Sequence, residues 1–340
     1  MFVDLHLLVL IMRLNVIEIL IFLKQLFLVL KEFLDVDHLV NMDLILYLRK
    51  NMEVLMKKII KLLSIAFIVL LSSGCARDSM EDITIYTSVY PIEYIANILY
   101  GNYADIYSMY PSDVNPYEYK LTNKQIKNYS DSDLIIYNGL DIEKDYVVKM
   151  LNTNKKLKII DSTAKIEYDS SMDEIWINPS NMITIAQNTR NGLKEYINST
   201  IIEDEIDSNY EKLKLDLSTI DAALKETVQN SSNKTIIVDS DDLKVLSKYG
   251  LDIISIDENT MTDKALADAK NLLNNKKVNY IFTKKGDKET QTMKSLKDTY
   301  SVNYLEIDTL NNISLENKKN EKDYITIMNE NIDKLKEELY

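Results

Sequence analysis

Two sets of four short β-branched or aromatic runs, separated by a long stretch without proline or glycine, restrict this chain to few folds. The first set is "DITIYTS" (82–88), "ADIYSM" (104–109), "SDLIIYN" (132–138) and "KLKIID" (156–161). The second is "KTIIVD" (234–239), "LDIISI" (251–256), "VNYIFT" (278–283) and "VNYLEI" (302–307). Each run suits a buried strand, and alternation with longer amphipathic segments implies parallel sheets covered by helices. Between the sets, "EIDSNYEKLKLDLSTIDAALKETVQ" (205–229) places Tyr210, Leu213, Leu217, Ile220 and Leu224 at helical spacing. At 1.5 Å per residue this helix would run about 37 Å, enough to bridge two lobes. The expected class is therefore α/β: two lobes, each a four-stranded, mainly parallel sheet flanked by helices, joined by one long rigid helix.

Local signals refine the plan. Pro91 suits a first helical turn, Gly101 a helix stop, and Thr122 an N-cap. In the second half, helices are expected near 241–248, 262–274, 287–299 and 321–339. Ligands of open parallel sheets bind beyond the carboxyl ends of the strands. That rule selects Ser88, the loop 110–119 with Tyr117, Asn138, Gly139, Asp161, the run 239–242, Thr283 to Lys285, and Asp308.

The start of the chain reads as an address. In "MKKIIKLLSIAFIVLLSSGC" (56–75), Lys57, Lys58 and Lys61 form a basic region ahead of the apolar run 62–71, and Ser72, Ser73 and Gly74 lead into Cys75. This is the layout of a secretory signal peptide, and the cysteine after small residues resembles a lipobox, so Cys75 is the expected lipidation site. The apolar run is short of the ~20 residues a membrane span needs. Residues 1–51 carry Arg13, Glu18, Lys24, Lys31 and Glu32 among apolar residues, and a signal peptide normally begins close to its basic region. The expected organisation is an over-extended N-terminus (1–51), a lipoprotein signal peptide (52–74), an N-terminal α/β lobe (75–200), a linking helix (201–230) and a C-terminal α/β lobe (231–340). The protein would act at the cell membrane, lipid-anchored on the extracytoplasmic face, as a monomer.

Composition excludes several classes of function. A net charge of −13 leaves nothing to neutralise phosphates, so nucleic acid is no partner. The single cysteine rules out an internal disulfide framework. Both histidines, His6 and His38, precede Cys75, so no histidine remains for a Ser-His or Cys-His pair after processing. Six glycines stand singly and form no phosphate-cradling loop. An enzyme is not expected.

Several segments, taken in order, resemble one family. "ITIYTSVYPIEYIANILYG" is similar to the first strand, Thr-Ser-x-Tyr-Pro turn and first helix of the zinc/manganese (cluster A-I) substrate-binding lipoproteins of ABC importers, some described as adhesins. "MYPSDVNPYEYKLTNKQIKNYSDSDLIIYNGLDIE" resembles the next loop, helix and strand, with the Asn-Gly pair and Glu143. "IWINPSN" and "DYITIMNENIDKLKEEL" resemble the Trp-x-x-Pro-x-Asn segment and final helix. The resemblance implies two (β/α)₄ lobes, an ABC permease and its ATPase as partners, and a divalent metal held at four positions. Three of those positions differ here. Asn115-Pro116-Tyr117 stands for Asp-Pro-His, Glu174 for the histidine before the tryptophan, and Ser240, flanked by Asp239, Asp241 and Asp242, for the ligand opening the C-lobe. Asp308 matches the late acidic ligand.

With oxygen the main donor, Mn²⁺-like ions are expected ahead of zinc, which prefers nitrogen and sulfur. The candidate metal residues are Asp308, Glu174, Asp239, Asp241 and Ser240; Tyr117, Ser88, Asn138 and Thr283 are the candidate cleft residues. Converging unpaired carboxylates would raise a pKa and invite a cation. Against this, "VDSDD" is also a good helix N-cap, and Lys284 or Lys285 could neutralise the same rim. The alternative is a family member without metal, acting as a surface adhesin or interaction protein, or binding a small organic ligand.

Overall fold

The computed structural model describes residues 80–168 and 172–340; residues 1–51, the signal-peptide segment and Cys75 lie outside them. Strands β1 (Ile83–Thr87), β2 (Ala104–Ser108), β3 (Leu134–Tyr137) and β4 (Lys158–Asp161) form one sheet in the order β2-β1-β3-β4. Strands β5 (Thr235–Val238), β6 (Asp252–Ser255), β7 (Tyr280–Lys284) and β8 (Asn303–Ile307) form a second in the order β6-β5-β7-β8. Every pairing is parallel. The eight strands coincide with the eight sequence runs. Central strand β3 is buried at all positions, whereas edge strand β2 alternates half-buried and exposed residues. That contrast is why the run of Leu134 to Tyr137 is continuously apolar.

Helices α1 (Tyr90–Tyr100), α2 (Asn123–Ser130) and α3 (Glu143–Thr153) cover the first sheet, followed by α4 (Asp173–Ile177) and α5 (Pro179–Tyr196). Thr122 caps α2 as expected, in a capping box with Gln125. Helix α6 (Thr200–Asn230) is longer than the 205–229 core of the sequence pattern, because Ser199 caps it one turn earlier by accepting from Ile202 N–H. Its 31 residues span about 46 Å. Ile202, Ile206, Tyr210, Leu213, Leu217, Ile220, Leu224 and Val228 form its buried stripe, and each buried leucine contributes roughly 1.5–3 kcal/mol over an exposed one. The stripe packs on α1 and α5 and on the C-terminal helix α10 (Tyr324–Leu339), so one core runs through both lobes. Arg190 and Lys194 of α5 pair with Asp207 of α6 at 2.7 Å each.

The second sheet is flanked by a 3₁₀ helix (Asp241–Tyr249), α7 (Asp263–Asn274), α8 (Gln291–Tyr300), α9 (Leu315–Lys319) and α10. Two differences from the sequence pattern stand out. The first C-lobe helix is 3₁₀ rather than α, ending at left-handed Gly250 (φ 98°). The last expected helix, 321–339, is α10 starting at Tyr324, and a short α9 that the sequence pattern did not give precedes it, with Glu321 at positive φ between them. Among the described residues no helix is long and apolar enough to cross a membrane.

Candidate functional site: an acidic cleft between the lobes

The two sheets end the same way. Ser88 N–H, just past β1, donates to the Ile136 carbonyl of β3, and Asp239 N–H, just past β5, donates to the Phe282 carbonyl of β7. Beyond these matched bonds the lobes diverge. In the N-lobe, Ser88 Oγ accepts from Asn138 N–H at 3.0 Å, and Asn138 Oδ1 accepts from the Thr163 hydroxyl at 3.1 Å. Ser88 and Asn138 are fully buried, so they lock the strand ends instead of facing a ligand. Gly139 follows because a Cβ there would lie 2.1 Å from Asp161 Oδ2.

In the C-lobe, the Thr283 hydroxyl donates to Asp239 Oδ2 at 2.6 Å, while buried Asp239 Oδ1 has no hydrogen-bond partner among the described residues. Burial pushes the Asp239 carboxyl up to about 6. Ser240 accepts from Asp242 N–H at the start of the 3₁₀ helix. Asp241 turns to the Ser255 and Thr260 hydroxyls, at 2.5 and 2.8 Å, and to Lys244 at 2.7 Å. Burial raises its carboxyl, but these partners outweigh that and hold it below its ordinary value.

Between the lobes lies a cavity of about 270 Å³ lined by Tyr117, Asp141, Met172, Asp173, Asp242 and Lys284. Asp173 opens α4 and is 2% exposed. Its Oδ1 accepts from Asn311 at 3.1 Å and its Oδ2 faces Lys284 Nζ at 3.4 Å. Lys284 ends β7 and also bonds Asp242, with Asp287 at 3.7 Å. Burial pulls the Lys284 ammonium down, yet Asp173, Asp242 and Asp287 together hold it above its ordinary value. It stays charged.

The loop carrying Tyr117 is a built turn. Asn115 Oδ1 accepts from Tyr117 N–H at 3.0 Å, an Asx turn that aims the ring inward. Tyr117 Oη accepts from Trp176 Nε1 at 2.8 Å. Burial, then the charge of Asp173, push its phenol well above the ordinary value, so it is a neutral wall of the cavity. From the C-lobe, Asn312 donates to the Pro111 and Val114 carbonyls at 2.8 and 2.7 Å, and Leu315 N–H to Asp113 at 3.0 Å. The Tyr324 hydroxyl reaches the Trp176 carbonyl at 2.6 Å.

The expected convergence of Asp308, Glu174 and the 239–242 carboxylates does not occur. Asp308 pairs with Lys285 at 3.1 Å and caps Leu310 N–H, a partly exposed pair worth under about 1 kcal/mol. Glu174 is buried outside the cavity lining, while its neighbour Asp173 reaches in. Of the nine candidates, Tyr117 alone lines the cavity; Ser88, Asn138 and Thr283 lie behind it. Asp141, Met172, Asp173 and Asn311 escaped sequence reasoning. In "DEIWINP" two adjacent acids were available, and only the short helix from 173 decides which faces the gap. Among the described residues no group of three or more His, Cys, Asp or Glu side chains could hold a metal ion. As the side chains stand, a divalent cation does not fit, because an ammonium holds the acids it would need.

Residues 85–338 match the family described as ZnuA, zinc-uptake complex component A, periplasmic. The metal ABC transporter substrate-binding lipoprotein FimA of Streptococcus parasanguinis is 27% identical over 314 residues, covering 84% of this chain and 99% of FimA. The manganese ABC transporter substrate-binding lipoprotein PsaA of Streptococcus anginosus is 27% identical over 263 residues, covering 70% of this chain and 83% of PsaA. Zinc-binding AdcA of Streptococcus pneumoniae R6 is longer: at 23% identity the chain spans 61% of it. The Zn(II)-bound ZnuA-like domain of S. pneumoniae AdcA superposes with a TM-score of 0.62 at 20% identity, over 76% of this chain and 99% of that domain. The laminin-binding protein Lbp of Streptococcus pyogenes gives 0.60 at 15%, over 76% of this chain and all of Lbp (100%). These structures share the two-lobe fold, and their likeness speaks to the fold alone. With the family model matched over most of its length, the chain belongs to the ZnuA family, among relatives named as metal ABC transporter substrate-binding lipoproteins.

Proposed function

We propose that this protein is the extracytoplasmic substrate-binding component of a metal-ion ABC importer, which captures its cargo between the two lobes and presents it to a permease and its ATPase. The observation that carries this reading is the acidic interlobe cavity at the carboxyl ends of two parallel sheets, in a chain of the ZnuA family. A lipid on Cys75 would keep the protein at the membrane. The cargo is a divalent cation, with Mn²⁺ ahead of Zn²⁺ because the donors at the cleft are oxygens. To reach those oxygens it must displace Lys284 from Asp173 and Asp242.

That same ammonium favours a second reading: a family member that carries no metal and serves as a surface adhesin or binds a small organic ligand. Manganese accumulation in a strain lacking the gene separates the two. A deficit restored by the intact gene supports the importer component; unchanged accumulation of manganese and zinc leaves the second reading.

A further inference from the structure

We propose that Lys284 is a tethered cation, an intramolecular competitor that stands in the acidic cleft between the lobes and weakens divalent-ion binding there. The inference rests on reading this cleft as the capture site. Lys284 is anchored by main-chain pairing at the end of β7, opposite Ile307 of β8. Its stem therefore starts from a fixed point, and only the ammonium needs to choose partners. It chooses one acid from the N-lobe, Asp173, and two from the C-lobe, Asp242 and Asp287.

Three features distinguish this from an ordinary surface ion pair. Asp173 is 2% exposed, and its carboxylate takes Lys284 and Asn311 from the other lobe beside the Tyr117 hydroxyl of its own. A carboxylate buried to this degree needs a counter-charge, and loses much when one is removed. Behind Lys284, Asp239 retains a buried oxygen with no hydrogen-bond partner among the described residues and feels the charges of Asp287 and Lys284. The cavity wall adds Asp141. With the ammonium in place the acids are partly neutralised; without it, they present a strongly negative gap of oxygen donors. A hard divalent ion and the ammonium therefore want the same oxygens. Because the acids hold Lys284 above its ordinary value, no physiological pH removes the competitor by deprotonation.

The test is a titration of the full chain, purified in detergent and stripped with chelator, with MnCl₂ as the probe. Calorimetry compares the native protein with Lys284→Gln and Lys284→Arg. Lys284→Gln should bind Mn²⁺ on the order of tenfold more tightly than the native protein, the effect of removing one like charge from beside the ion. Lys284→Arg, which keeps the charge, should remain as weak as the native protein. Native binding as tight as that of Lys284→Gln overturns the inference, and so does a folded Lys284→Gln with no gain. If Lys284→Gln does not fold, Lys284→Met, which keeps most of the side-chain volume, takes its place under the same criteria. Manganese accumulation in cells reads the importer role separately, so a failed titration would remove the tethered cation and leave that role standing.

Discussion

Past β3 the N-lobe places Asn138, and at the matching step past Phe282 in β7 the C-lobe places Lys284. Both follow the same ladder bond, from Ser88 to Ile136 in one lobe and from Asp239 to Phe282 in the other. At the ends of β1 and β3 one lobe places neutral groups, Ser88 and Asn138, which with Thr163 are satisfied by short hydrogen bonds within the lobe, and the Asp161 carboxylate ending β4 accepts from Thr163 behind them. The other finishes with Asp239, Asp242 and Lys284, and Lys284 reaches across the gap to Asp173. The comparison teaches that one backbone plan supports strand ends tied by neutral hydrogen bonds in one lobe and by ion pairs in the other. The difference lies in side chains that the strand pattern leaves unconstrained. Deep in the N-lobe, the buried Glu143 carboxyl lies beside the buried Tyr110 hydroxyl.

The largest effect should come from cutting the cross-lobe pair. Asp173→Asn leaves Lys284 short of its N-lobe partner and should cost about 2–4 kcal/mol in urea unfolding; a loss below 0.5 kcal/mol would mean the lobes do not depend on this bridge (a threshold of about the usual surface-substitution effect). Glu143 comes next. Burial, chiefly, pushes its carboxyl up to about 7 from an ordinary 4.5. Between those values the folded chain holds a proton that the unfolded chain has released, so stability should rise as pH falls from 8 towards 5. In Glu143→Gln that rise should shrink by roughly 1–3 kcal/mol. Parallel slopes for the two proteins would show that Glu143 is already compensated. Smallest is the matched pair at the strand ends. Ser88→Ala removes the acceptor for one buried N–H and should cost about 1 kcal/mol, whereas Thr283→Val strips a donor from buried Asp239 and should cost about 2. Equal losses would erase the proposed distinction between a neutral and an ionic rim.

Much of the fold is legible in the residues because strand and helix periodicities are local. Eight β-branched runs became eight parallel strands, and the stripe from Tyr210 to Leu224 became the buried face of α6. Thr122 and Gln125 announce their cap within four residues. The site was much less legible. Tyr117 was found because its loop follows a strand end and resembles the family's Asp-Pro-His loop. Asp173 was passed over for Glu174, since adjacent residues on a short helix diverge by about 100° and no periodicity extends far enough to say which faces inward. Lys284 was visible as a possible neutraliser, but its partner lies 111 positions away.

By itself, then, the sequence determined the two-sheet plan, the connecting helix and the oxygen-rich character of the donors, because each depends on residues close together in the chain. Only the tertiary structure decided that Asp239, Asp241 and Asp308 turn to separate partners while Asp173, Asp242 and Lys284 meet. Which charges meet depends on how the ends of two sheets face one another, and electrostatic pairing over a few ångströms leaves no mark in the spacing of residues.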